Sequence, residues 1–176
     1  MIEIRQGKRK EYLEAWAIML DNQRALYKKD WRMKHVWPGR FTELQTEVNN
    51  FCTIAFDGEN PVGIFGIIET KYGRALGKQI VVDPTYRGQK IGQALIIANE
   101  KQLRESTDIR EYTIVCLDTT AGIYKKHWGL EPFKGPLKFR EENGIKIGYE
   151  SHFRIPLYRD NFYDQYNQIM SNFIAK

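Results

Sequence analysis

The chain has 176 residues, 42% of them hydrophobic and 28% charged, with a formal charge of +5. That composition describes one globular domain and excludes both a disordered chain and a membrane-embedded one. No apolar run approaches the roughly 20 residues of a membrane span, and Met1–Arg9 lacks the apolar centre of a signal peptide. Cys52 and Cys116 each sit inside an apolar run, which suits buried, reduced thiols and a cytoplasmic location. With three scattered histidines and no CxxC or HExxH pattern, no metal site is expected. The basic balance is compatible with a polyanionic ligand and decides nothing alone.

Ile2–Arg5 alternates apolar and polar and reads as a first strand. From Lys8 to Lys28 the residues Tyr12, Leu13, Trp16, Ile18, Met19 and Leu20 recur at helical spacing without Gly or Pro, an amphipathic helix. Trp31–Arg40, with its Trp-Pro-Gly, is expected as a loop, and Thr42–Val48 as a short capped helix. Phe51–Phe56 and Val62–Thr70 flank an Asp-Gly-Glu-Asn-Pro turn, so an antiparallel hairpin is expected. Ala75–Val82 is the next strand and ends at Asp83-Pro84. A helix is expected over Gln89–Glu105, with Ile91, Ala94, Leu95 and Ala98 on one face.

Tyr112–Leu117 is almost wholly apolar, as a central strand requires. Gly122–Trp128 reads as a short helix closed by Gly129. Strands around Pro136–Arg140 and His152–Leu157 follow, with the turn at Glu141–Gly144. Asn161–Ile174 carries a helical stripe of Phe162, Tyr166, Ile169, Met170 and Phe173, expected to pack on its own domain; dimerisation through it is the alternative. The order predicts a mixed α/β sheet in a single domain, 1–176, with a core over about 2–157 and an extra C-terminal helix over about 160–175.

The chemistry concentrates in Ile80-Val81-Val82-Asp83-Pro84-Thr85-Tyr86-Arg87-Gly88-Gln89-Lys90-Ile91-Gly92-Gln93-Ala94-Leu95. A strand feeds a tight basic loop, and a helix starts at once. The first helical turn has unpaired N–H groups and a positive dipole end, so it binds phosphate. Gly88 and Gly92 let a ligand approach the backbone, while Arg87 and Lys90 add charge. Neither the Walker nor the dinucleotide glycine pattern is present.

This segment resembles the acyl-CoA-binding motif of the GNAT acetyltransferases, Gln/Arg-x-x-Gly-x-Gly/Ala, and the element order resembles that fold. The resemblance implies that the amides of Arg87, Gly88, Gln89, Lys90, Ile91, Gly92 and Gln93 hold the pyrophosphate of acetyl-CoA, the acyl donor. It also implies that Ile80, Val81 and Val82 pair with the pantetheine arm. Lys90 stands where the family has its first glycine; a helical φ there would leave its N–H usable.

A second block, Asp118-Thr-Thr-Ala121-Gly-Ile-Tyr124-Lys125 through Gly129-Leu130, resembles the family's Asn-x-x-Ala, Tyr and Gly-Phe positions. Its general-acid tyrosine position falls on Lys125, with Tyr124 one place earlier. Tyr124 is the candidate acid, against a packing tyrosine, and Lys125 a candidate phosphate contact, against plain surface. Some family members place a glutamate on the Ala75–Val82 strand; here Arg74 and Leu76 stand at those positions, and Glu69 and Asp118 are the candidate bases.

The resemblance implies an acyltransferase acting on a primary amine of a small molecule or protein, as monomer or homodimer, without a membrane partner. One alternative is acetylation of an aminoacyl-tRNA, suggested by the basic, aromatic stretch Lys28–Arg40; a basic surface loop is the plainer reading. The other is a non-catalytic acyl-CoA-binding or scaffold protein.

Overall fold

The computed structural model describes residues 1–27, 51–69, 75–142 and 145–175. The loop expected over Trp31–Arg40 and the helix over Thr42–Val48 lie outside the described residues. In chain order the elements are β1 (Glu3–Gly7), α1 (Arg9–Tyr27), β2 (Phe51–Asp57), β3 (Asn60–Glu69), β4 (Ala75–Val82), α2 (Ile91–Ser106), β5 (Glu111–Leu117), α3 (Asp118–Trp128), β6 (Lys134–Glu142), β7 (Ile145–Pro156), α4 (Phe162–Met170) and β8 (Ile174–Ala175). The strands form one mixed sheet in the order β6-β7-β5-β4-β3-β2-β1-β8. Among the described pairs, β4–β5 and β1–β8 are parallel and the rest antiparallel.

Period-two alternation on the inner strands feeds two apolar layers, one on each face. On β2, Cys52 and Ile54 turn toward α1 and meet Tyr12, Ala15, Trp16 and Met19. Ala55, with Phe65 and Ile67 of β3, turns the other way and packs under Ile91, Ala94, Leu95 and Ala98 of α2. Thr53 shares that second face, where its hydroxyl donates to the Leu95 carbonyl at 2.8 Å. Each large side chain so enclosed contributes about 1.5–3 kcal/mol of burial. Helix α1 starts where the Glu11 carboxylate accepts the Lys8 N–H at 2.8 Å, satisfying one of the first-turn donors.

Three expectations change in α3, the last two strands and the final helix. Helix α3 begins at Asp118 rather than Gly122, directly at the end of β5. The last two strands are longer than the apolar runs, Lys134–Glu142 and Ile145–Pro156, because cross-strand pairing extends them into polar sequence. The final helix ends at Met170; Ile174 and Ala175 instead pair with Glu3 and Ile4 as the edge strand β8. The stripe itself packs as expected on its own domain, with Phe162 and Met170 buried beside α2 and Tyr166, Ile169 and Phe173 half-buried against the same core.

Candidate acyl-CoA site

Two local events shape the region where β4 ends. The parallel pairing of β4 with β5 runs only from Ala75↔Tyr112 to Gly77↔Ile114, although the strands continue to Val82 and Leu117. On the opposite edge of β4, Ile64 pairs with Val81 and Gly66 with Lys78, so Gln79 and Ile80 oppose the single Phe65. That is a β-bulge, which bends its strand and disrupts the local ladder. Past Gly77 the two strands therefore part. The edge of β4 over 78–82 keeps backbone groups without a β5 partner, ready for an extended ligand that carries amides.

The loop after Val82 is held from several sides. The Asp83 N–H donates to the Val62 carbonyl at 2.9 Å. The Asp83 carboxylate accepts from the Thr85 N–H at 2.8 Å and the Thr85 hydroxyl at 2.6 Å, with Pro84 opening the short 3-10 turn Pro84–Tyr86. The Tyr86 hydroxyl donates to Asp57 at 2.9 Å, tying the loop to the β2–β3 turn. Arg87 folds back, its Nε donating to the Val82 carbonyl at 3.3 Å.

Gly88 has φ +84, and no atom lies within 4 Å of a Cβ built there. Lys90 has φ +62 and ψ +11, the left-handed region, and caps α2. The helical φ expected at Lys90 is thus corrected, and the helix starts at Ile91 rather than Gln89. The family glycine at this place takes such a conformation without cost, whereas lysine bears about 1–2 kcal/mol. The Ala94 N–H donates to the Lys90 carbonyl at 3.1 Å and closes the first turn, so the N–H groups of Ile91, Gly92 and Gln93 have no intrahelical partner. Two left-handed residues followed by free amides at a positive dipole end form a concavity for an anion.

Gly92 needs its own explanation. A Cβ there would stand 3.5 Å from Ile80 Cδ1 and 3.7 Å from Val82 Cγ2, ordinary contact distances. Packing does not demand glycine, and inside a helix it costs about 1 kcal/mol relative to alanine. What glycine does supply there is a backbone open to close approach.

The other predicted residues divide. Tyr124 lies on α3 and is 3% exposed, its ring stacked on Trp128 and Phe153 at centroid distances of 5.7 and 5.3 Å. Burial pushes its hydroxyl well above the ordinary tyrosine range, with the Cys116 thiol and Glu100 acting in the same direction. Cys116 is on β5 beyond the last β4 pair, so Tyr124 stands on the β5 side of the parted strands. Lys125, one residue on, is exposed and pairs with Glu131 at 2.7 Å. Asp118 is placed by its backbone at the end of β5, at the mouth of the divergence. Glu69 pairs with Ala75, at the far end of β4 from the loop. The side chains of Asp118 and Glu69 lie outside those described.

Sequence reasoning missed the bulge at Gln79–Ile80, which depends on register. An open groove of about 540 Å³, lined by Gly88, Gln89 and Lys90 together with Met1, Asn172 and Phe173, likewise leaves no mark in the sequence. Among the described residues no cluster of His, Cys, Asp or Glu could hold a metal, and no helix is long and apolar enough to cross a membrane.

Residues 48–127 match the family described as acetyltransferase (GNAT) domain, a segment that contains the parted strands, the loop and α2. The fold resembles the GNAT-family acetyltransferase of Staphylococcus aureus Mu50, with a TM-score of 0.61 and 20% identity over 89% of this chain and 99% of that one. It also resembles the ribosomal-protein-S18-alanine N-acetyltransferase of Escherichia coli, with a TM-score of 0.67 and 13% identity over 90% and 96%. A protein described as a streptothricin acetyltransferase of Bacillus anthracis, solved with acetyl coenzyme A, gives 0.50 and 16% over 60% and 61%. A search of curated proteins returned no match. The chain has the fold of the GNAT acetyltransferases, and its residues 48–127 match the model of that domain.

Proposed function

We propose that the protein is an N-acetyltransferase that moves the acetyl group of acetyl-CoA to a primary amine of a small molecule or protein. The observation that carries this reading is the parting of β4 from β5 beyond Gly77 and Ile114, directly below the left-handed loop and free amides that start α2. The amides of residues 88–93 bind the pyrophosphate, with Arg87 and Lys90 adding charge. The free edge of Ile80–Val82 pairs with the pantetheine amides, which aims the thioester into the divergence.

There the amine nitrogen attacks the thioester carbonyl; an N–C bond forms and the C–S bond breaks. Backbone N–H groups at the bulge polarise the carbonyl as oxyanion donors. The amine nitrogen loses a proton to a base, directly or through water, and the leaving thiolate gains one from an acid. Asp118, at the mouth of the divergence, is the better placed of the two candidate bases. Tyr124 is the proposed acid: its hydroxyl carries the proton to be given, although burial raises its pKa and so opposes the transfer.

A second reading has a specific observation behind it. Tyr124 is packed between Trp128 and Phe153 like a core residue, which suits a protein that binds acyl-CoA without transferring the acyl group. Thiol release from acetyl-CoA, followed with a chromogenic disulfide over a panel of amines and a charged tRNA, separates the readings. Acceptor-dependent release supports the enzyme, and tRNA-dependent release the nucleic-acid variant. Tight binding with no release for any acceptor contradicts catalysis.

A further inference from the structure

The chain beyond β7 grips α2 at one end and faces the loop at the other. All three guanidinium nitrogens of Arg159 are used: Nε donates to Gln165 at 2.8 Å, one terminal nitrogen to the Pro156 carbonyl at 2.9 Å, the other to Glu100 at 2.6 Å. Glu100 belongs to α2 and is 0% exposed; its second oxygen accepts the Tyr112 hydroxyl at 2.8 Å. A charge pair enclosed in this way tolerates the loss of neither partner. One turn further along α2, Arg104 donates to the Leu157 carbonyl and lies against the rings of Phe162 and Tyr163, at 4.5 and 5.1 Å. The second half of α2 is thereby fastened to the segment that opens α4.

The same segment then returns toward the start of α2. The Ile174 N–H donates to the Ile2 carbonyl at 3.0 Å, and β8 pairs with β1. That return makes Asn172 and Phe173 line the same groove as Gly88, Gln89 and Lys90. Glu100 and Lys90 are both on or at α2, about 15 Å apart at the rise of a helix. A helix is stiff over that length, so fixing its middle also fixes the amides at its first turn.

From this bracketing we infer that the segment Arg159–Ala175 is a brace for the phosphate loop, with Arg159 as its positioning residue. The inference rests on reading that loop as the acetyl-CoA site. Arg159 touches no substrate and acts through Glu100 and α2. Without the brace the cradle amides still exist, but their direction is less fixed, and hydrogen bonds to an anion weaken steeply with misalignment.

The test compares Arg159→Lys and Phe173→Ala with the wild type by acetyl-CoA titration, steady-state kinetics and amide hydrogen exchange. Lysine keeps the charge opposite Glu100 but cannot reach Gln165, Pro156 and Glu100 together. Arg159→Lys is expected to weaken acetyl-CoA binding and raise its KM by about tenfold, a usual size for coupling through a packed element. Turnover at saturation should stay within about twofold, the pattern of lost ground-state binding. Exchange should speed up in Ala94–Ala98 as well as around Glu100. Phe173→Ala, outside the charge pair, should weaken binding several-fold and carries the test if Arg159→Lys does not fold.

Wild-type affinity in both variants, or faster exchange confined to Asn99–Ser106, would overturn the brace and leave the segment as edge packing. Should wild-type protein itself fail to bind acetyl-CoA, the proposed function falls, and the exchange pattern alone decides the brace.

Discussion

Gly77 of β4 and Ile114 of β5 are the last residues through which these two parallel strands pair, and a Cβ at Gly77 would stand 3.3 Å from Ile114 Cδ1. The same Cβ would lie 3.3 Å from the Phe65 ring. The divergence of the strands thus begins at a residue with no room for a side chain on that face. Gly77→Val should destabilise the fold by about 1–3 kcal/mol through overpacking. A denaturant titration checks this: an unchanged midpoint would mean that Ile114 and Phe65 give way freely.

At Lys90 the backbone and the charge can be separated. Lys90→Ala keeps the left-handed strain and removes the ammonium, whereas Lys90→Gly removes both. The glycine variant should unfold at a higher denaturant midpoint than the alanine variant, by about 1 kcal/mol. Both should bind acetyl-CoA more weakly than the wild type and with a shallower salt dependence, because one exposed cation is gone. Equal stability of the two variants would argue against the left-handed conformation.

The two thiols should behave differently. Cys52 is buried, its thiol donating to the Gly7 carbonyl, and burial pushes it from 9.0 up to about 12. Cys116 is half-buried on β5. A chromogenic disulfide should modify Cys116 in the native protein and Cys52 only after unfolding. The sign of the pH effect follows from linkage. Above about pH 9 the unfolded Cys52 ionises while the folded thiol keeps its proton, so stability declines as pH rises from 9 toward 12. The raised hydroxyls of Tyr12, Tyr112 and Tyr124 act in the same direction. Cys52→Ala should flatten part of that decline in denaturant titrations between pH 9 and 11.

Tyr124→Phe tests the acid with little change in packing, since the ring contacts with Trp128 and Phe153 remain. Turnover should fall about 10²-fold, a usual general-acid contribution, with acetyl-CoA affinity kept. An unchanged rate would assign the tyrosine to packing.

Much of this arrangement was legible in the chain. The helical stripe Ile91, Ala94, Leu95, Ala98 marked α2, and Asp83-Pro84 marked the end of β4, because local spacing and turn chemistry write both. The glycines at 88 and 92 marked the tight loop and the start of α2 for the same reason. What stayed hidden depends on partners far along the chain. The bulge at Gln79–Ile80 exists only relative to β3, and β8 only relative to β1. Phe173 continues a helical stripe in the sequence, yet its backbone leaves the helix after Met170 to reach the sheet edge. The one-residue offset of Tyr124 from the family position, about 100° on a helix, left acid and packing roles both open, and its burial became visible only in the fold.

The central claim is that acetyl-CoA binds at the start of α2, and titration calorimetry of acetyl-CoA into wild-type protein and Gly92→Glu tests it most directly. A Cβ at Gly92 meets only ordinary contacts with Ile80 and Val82, so the variant should fold, with Gly92→Ala at or above wild-type stability as the control. The account predicts binding by the wild type and none by Gly92→Glu, whose carboxylate would stand beside the pyrophosphate. Equal affinity in a folded Gly92→Glu variant would contradict the placement of the site.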